Sequence, residues 1–143
     1  MKTSSRFLLV SILLCFACSN KNELTLVKKG QTNYQIILED EPDATLQKAA
    51  FELQTYLEKI SSVKIPISNT SNITKEKKQL FVFTDTNLAS PHTVSYKTEN
   101  DNLLISGGSS ESTLYAVYEF LEIELACKWF SPEVEKILES KNR

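Results

Sequence analysis

The sequence predicts an α+β domain: a mixed β-sheet with two amphipathic helices packed on it, built around one small core. Three observations predict it. Two segments, near 43–60 and 109–125, carry apolar residues at helical spacing. Around them lie short runs rich in branched and aromatic residues, including Tyr34–Leu38, Gln79–Thr84 and Leu103–Ile105, which read as strands. The 143 residues suffice for a single core and no more.

In chain order, Leu24-Thr25-Leu26-Val27 is expected to be a first strand and Lys28-Lys29-Gly30-Gln31 a turn. Tyr34–Leu38 follows as a second strand, broken at Glu39-Asp40-Glu41-Pro42. Asp43 is placed to cap the first helix, because a short acceptor side chain satisfies a free N–H of the first turn. Leu46, Ala49, Ala50, Leu53, Leu57 and Ile60 form its apolar stripe. Gln47, Lys48, Glu52, Gln54, Thr55, Glu58 and Lys59 make the opposite, solvated face. Ser68–Lys78 is polar and reads as a loop, and Gln79–Thr84 reads as a buried strand ending at Asp85. Val94 and Tyr96 pair with Leu103–Ile105 in a hairpin that turns within Thr98–Asn102. Gly107 and Gly108 end that strand, where close backbone approach needs glycine. Ser109 or Ser110 caps the second helix, whose expected stripe is Leu114, Val117, Tyr118, Leu121 and Leu125. Trp129 and Phe130 form a short strand stopped by Pro132. The tail from Glu133 is a last strand or a frayed helix.

Residues 1–17 have the layout of an export signal. Lys2 and Arg6 precede an apolar run, Phe7–Ala17, too short to span a bilayer comfortably. Leu14-Cys15-Phe16-Ala17-Cys18-Ser19 resembles a bacterial lipoprotein cleavage site, with cleavage after Ala17 and lipid attached at Cys18. The plainer alternative is an ordinary signal peptide with incidental cysteines. A cysteine directly after a small residue at the end of the apolar run favours the lipoprotein. The expected organisation is then a signal peptide over 1–17, a lipidated tether over 18–24, the domain over 25–138 and a charged tail over 139–143. The expected location is the cell envelope, lipid-anchored at the outer membrane or cell surface.

Charge and cysteine content narrow the chemistry. The formal charge is −2, and the mature chain, without Lys2 and Arg6, holds 14 basic against 18 acidic residues. No basic stripe is present, so nucleic acid is not an expected partner. Once Cys15 leaves and Cys18 is acylated, Cys127 stands alone and no disulfide framework forms. Cys127 reads as a small buried hydrophobe. Cysteine and histidine show no metal-ligand spacing, and no cofactor or metal is expected. His92, the one histidine, has no motif partner and fits a loop or strand edge.

Several motifs in order resemble one family. Ala49-Ala50-Phe51-Glu52-Leu53-Gln54-Thr55-Tyr56-Leu57, Ile65-Pro66-Ile67, Leu114-Tyr115-Ala116-Val117-Tyr118-Glu119-Phe120-Leu121-Glu122 and Cys127-Lys128-Trp129-Phe130-Ser131-Pro132 carry the resemblance. The chain resembles the N-terminal accessory domain of bacterial α-glucuronidases and the related domain of β-hexosaminidase-like glycoside hydrolases (a β-N-acetylhexosaminidase-like N-terminal domain). It departs at Lys128, where arginine is usual, at Glu111-Ser112, where Arg-Gly is usual, and at Ala126, where glycine is usual. The resemblance implies a non-catalytic domain beside a (β/α)8 barrel whose own carboxylates act on polysaccharide. A barrel takes about 250 residues, so the chain is expected to be a truncated gene, a fragment, or a split form that works with a separately encoded catalytic barrel.

The residues themselves select no catalytic set. Glycoside hydrolysis needs two carboxyl groups across one sugar bond. Glu119 and Glu122 share a helix face, but at that spacing they read as solvated residues. The rival expectation is a free-standing glycan-binding lipoprotein in which Tyr115 and Trp129 stack on sugar rings. A third is a module that docks to another secreted protein, for which an exposed apolar patch would speak.

Overall fold

The computed structural model describes residues 24–131 and 134–137. Seven strands and two α-helices follow one another as β1 (Tyr34–Leu38), α1 (Ala44–Ser61), β2 (Ile67–Asn69), β3 (Lys78–Thr84), β4 (Val94–Glu99), β5 (Asn102–Gly107), α2 (Ser110–Ile123), β6 (Lys128–Ser131) and β7 (Val134–Lys136). A 3-10 turn at Thr70–Asn72 follows β2. Five strands form one mixed sheet in the order β2-β1-β3-β5-β4. All neighbours are parallel except the β4–β5 hairpin, which turns at Asn100 and Asp101. The expected α+β architecture is therefore present: a mixed sheet, two helices packed on it, one small domain.

Both helices lie on one face. Alternation along the strands sends Ile36, Leu80, Val82, Leu103 and Ile105 toward Leu46, Leu53, Val117 and Leu121, all almost completely buried. Each helix begins where the sequence says it should. Asp43 accepts a hydrogen bond from the Leu46 amide (2.8 Å), and Ser109 accepts one from the Ser112 amide (3.2 Å). Cys127 is fully buried, as expected of a small hydrophobe.

Several expectations are corrected. Leu24–Val27 is not a strand; it lies along the edge of the core, without a ladder partner among the described residues, and the adjacent bridge joins Lys28 and Gln31. Gln54 is buried rather than solvated, because its side-chain amide donates to the Ile65 carbonyl (2.6 Å) and ties α1 to the chain leading into β2. The buried side of α2 is rotated from the expected stripe. Thr113, Ala116, Val117 and Leu121 are fully covered, whereas Leu114, Tyr118 and Leu125 are half-buried beside them. Small residues take the centre because α2 starts hard against the end of β5. The polar loop expected over Ser68–Lys78 is shorter than that, since β2 and β3 claim its ends. The tail is a strand: β7 pairs antiparallel with β6. Pro132 and the tail beyond 137 lie outside the described residues, as do the signal segment and Cys18.

Ala126 has φ +55°, a left-handed conformation that strains any residue with a Cβ. It sits just past α2, at the position where the resembled family often has glycine. Ala126→Gly is expected to stabilise the domain by about 1 kcal/mol, read as a raised urea midpoint with unchanged slope.

Candidate functional site

In sheets with parallel strands, ligands collect outside the carboxyl ends, where neighbouring crossovers diverge. Here that point lies between β1 and β3. Residues of both helix N-termini meet beside it. Ser110 Oγ donates to Asp43 Oδ2 (2.6 Å), linking the start of α2 to the cap of α1. Thr113 Oγ1 donates to the Phe83 carbonyl (3.1 Å), and Ser112 Oγ donates to the Pro91 carbonyl. A helix N-terminus can hold an anion, but at α1 the chain's own Asp43 carboxylate already takes that place. The hydrogen bond from Ser110, then that from the Leu46 amide, holds the Asp43 carboxyl below the usual carboxylate range. The edge is thus an internal joint.

Its pH dependence follows. A carboxyl whose folded pKa is depressed stabilises the fold fully above its unfolded value near about 4, and the stabilisation is lost as pH falls through that range to the lower folded value. Asp43→Ala is expected to cost about 1–2 kcal/mol at neutral pH. The wild-type advantage over this variant should shrink on acidification, measured by thermal denaturation at pH 7 and pH 3.

The residues expected to meet sugar separate in the structure. Tyr115 is exposed at 68% on the outer side of α2. Trp129 is half-buried on β6, between Tyr56 of α1 and Tyr118 of α2. Its ring makes edge contacts with both tyrosines, at centroid distances of 5.3 and 5.5 Å, and its Nε1–H donates to the Tyr56 hydroxyl (2.7 Å). Trp129 is therefore a clamp between elements, and its one polar group is already engaged. Sequence reasoning singled out Trp129 but missed Tyr56, whose place in the helical periodicity gave no sign of its partner 73 residues away.

Tyr118 completes the cluster. Burial first, and then the neighbouring Glu52 carboxylate, push its phenol up to about 12. The folded state holds this proton beyond the ordinary range near about 10. Stability from the cluster is thus complete below about pH 10 and declines as pH rises from there to about 12. Burial also raises the phenols of Tyr34 and Tyr96, so titration of tyrosinate absorbance should show Tyr118 among the late-ionising tyrosines, and Glu52→Gln should move its step partway back.

The two carboxylates weighed from the sequence are solvated, as their spacing suggested. Glu119 and Glu122 are both exposed, and Glu122 pairs with Lys128 (2.8 Å). His92 is exposed in the turn before β4, in the loop or strand-edge position expected of it. Among the described residues, no group of three or more His, Cys, Asp or Glu side chains is placed to hold a metal ion, and no helix is long and apolar enough to cross a membrane.

The sheet face away from the helices is apolar at its centre. Ile37, Phe81 and Leu104 are register neighbours across β1, β3 and β5. With Phe83 they floor a shallow hollow of about 320 Å³ beside Glu39 and Thr70. The connection from β2 to β3 passes over the lower part of this face, where Gln35 Nε2 donates to the Thr74 carbonyl (2.9 Å).

No protein-family model matches the chain, and no curated protein matches it. Among solved structures, one similar chain is described as a GH138 enzyme targeting pectin rhamnogalacturonan II. The match has a TM-score of 0.47 and 12% identity, covering 62% of this chain and 13% of that one. So slight a likeness assigns no chemistry to this domain.

Proposed function

We propose that the chain is a non-catalytic accessory domain of a polysaccharide-degrading, α-glucuronidase-like glycoside hydrolase. It is carried on a bacterial lipoprotein anchored through Cys18 and works beside a catalytic barrel. One observation carries this reading. Tyr56, Tyr118 and Trp129 come from three of the motifs that give the family resemblance, and both tyrosines pack on the Trp129 ring. The motifs thus describe a shared scaffold. The apolar hollow around the half-buried Phe81 and Leu104, on the sheet face away from the helices, supports the reading, since a mostly parallel sheet normally has both faces covered and such a hollow suits a neighbouring domain.

The test is turnover of an aryl glucuronide and an aryl hexosaminide by the purified mature chain. Neither substrate should be cleaved above background; cleavage by the chain alone would overturn the reading. A free-standing glycan-binding lipoprotein remains the second reading because of Tyr115, which is exposed one helical turn from Tyr118. Tyr115→Ala should leave stability within about 0.5 kcal/mol. If it also removed binding in a glycan screen, the second reading would replace the first.

A further inference from the structure

The two ends of the sheet carry opposite charge. At the carboxyl ends of the parallel strands stand Glu39, Asp40, Glu41, Asp43, Asp85 and, at the start of α2, Glu111. The other end gathers the start of β3, the β4–β5 turn and the last turns of both helices. There Lys78–Asp101, Lys97–Glu99 and Lys128–Glu122 form ion pairs. Beyond these pairs, Lys28, Lys29, Lys64, Lys75 and Lys77 outnumber Glu58, Glu76 and Glu124. The same end is partly apolar. Ile123 is 61% exposed, and Leu24, Leu26 and Leu125 line a concavity of about 900 Å³.

The chain also arrives at this end. Leu24 lies six residues after Cys18, a span of at most about 20 Å when extended. We propose that this basic, partly apolar end is a lipid-facing surface resting on an anionic bilayer. The lysines meet headgroup phosphates, Ile123 and the Leu24–Val27 segment reach the interface, and the acidic end points away. The inference deepens the lipoprotein reading and rests on it for the direction of approach. Charge complementarity and the short tether select a lipid surface over another protein, for which the apolar sheet face is better suited.

The test uses the chain from Ser19 onward, which carries no lipid and retains every described residue. It is sedimented with vesicles of phosphatidylcholine alone or with one quarter phosphatidylglycerol. Partitioning should favour the anionic vesicles by about tenfold or more, since each lysine at such a surface is worth about fivefold, and should weaken as salt rises. K28E/K29E/K64E should erase the preference while leaving thermal stability unchanged; E39Q/E41Q, at the far end, should retain it. Equal partitioning into both vesicles, or a preference surviving the triple substitution, would overturn the proposal. The anchor is tested separately by the mass of the envelope-extracted chain. An unlipidated mass with anionic preference intact refutes the anchor alone, and a lipidated mass with no preference refutes the surface alone.

Discussion

Gly107→Ala should destabilise the domain by about 3 kcal/mol or more, because the clash is with backbone that cannot move aside. A Cβ at Gly107 would lie 2.7 Å from Ser112 Cβ and closer still to the Thr113 amide nitrogen, inside the first turn of α2. That amide already donates to the Ser109 carbonyl (2.9 Å), and the Gly107 carbonyl accepts from the Asp85 amide (2.9 Å). The backbone is therefore pinned on both sides. Gly108→Ala should behave similarly, since its Cβ would come within 2.8 Å of Pro91 Cα and meet the Ser90 carbonyl. Gly30 provides the contrast. Its φ of +72° penalises a side chain, but nothing lies within 4 Å of the added atom. Gly30→Ala should cost only about 1–2 kcal/mol. Urea denaturation of the three variants separates steric exclusion from conformational preference; equal losses at Gly30 and Gly107 would show that the close approach of α2 to β5 is not what requires glycine.

The same close approach explains what the sequence revealed and what it concealed. Features set by neighbouring residues were legible: the Asp43 and Ser109 caps, the stripe of α1, the Asn100–Asp101 turn and the two glycines at the end of β5. The orientation of α2 was not, because hydrophobic periodicity weights leucine and tyrosine, whereas the buried residues against Gly107 are Ser112 and Thr113. Leu24–Val27 has a strand's composition, but a strand needs a ladder partner, and the described residues offer it only the edge of the core. Parallel pairing joins residues from distant segments, such as Ile36 to Ile67 and Leu80 to Leu103, so strand order is not written in local pattern. The continuous burial of β1 on both sides is the one hint, since Ile37 is almost as covered as Ile36. The candidate site divides the same way. Trp129 and Tyr115 were visible as aromatics, but which of them the protein uses internally depends on Tyr56, on another helix.

That dependence gives the second large effect. Trp129→Ala should cost about 3 kcal/mol, the lower part of the range for removing a large aromatic, because the ring is half-buried. The loss combines its area, two edge contacts with tyrosines and the hydrogen bond to the Tyr56 hydroxyl. Tyr56→Phe removes the hydroxyl that accepts this bond and keeps the ring, and should cost about 1 kcal/mol. Since each change removes the same hydrogen bond, the double variant should be less destabilised than the sum, with a coupling of about 1 kcal/mol. Tyr115→Ala should be additive with either change, because its exposed ring contributes little to stability. The cycle thereby distinguishes the two uses of an aromatic side chain in this domain. A clamp shows a large loss and coupling to Tyr56. A sugar platform would show a small loss, no coupling and a fall in glycan affinity. If Trp129→Ala left the urea midpoint unchanged, the β6–β7 ribbon would not be held to the helices by this ring, and the scaffold argument for the family motifs would fail with it.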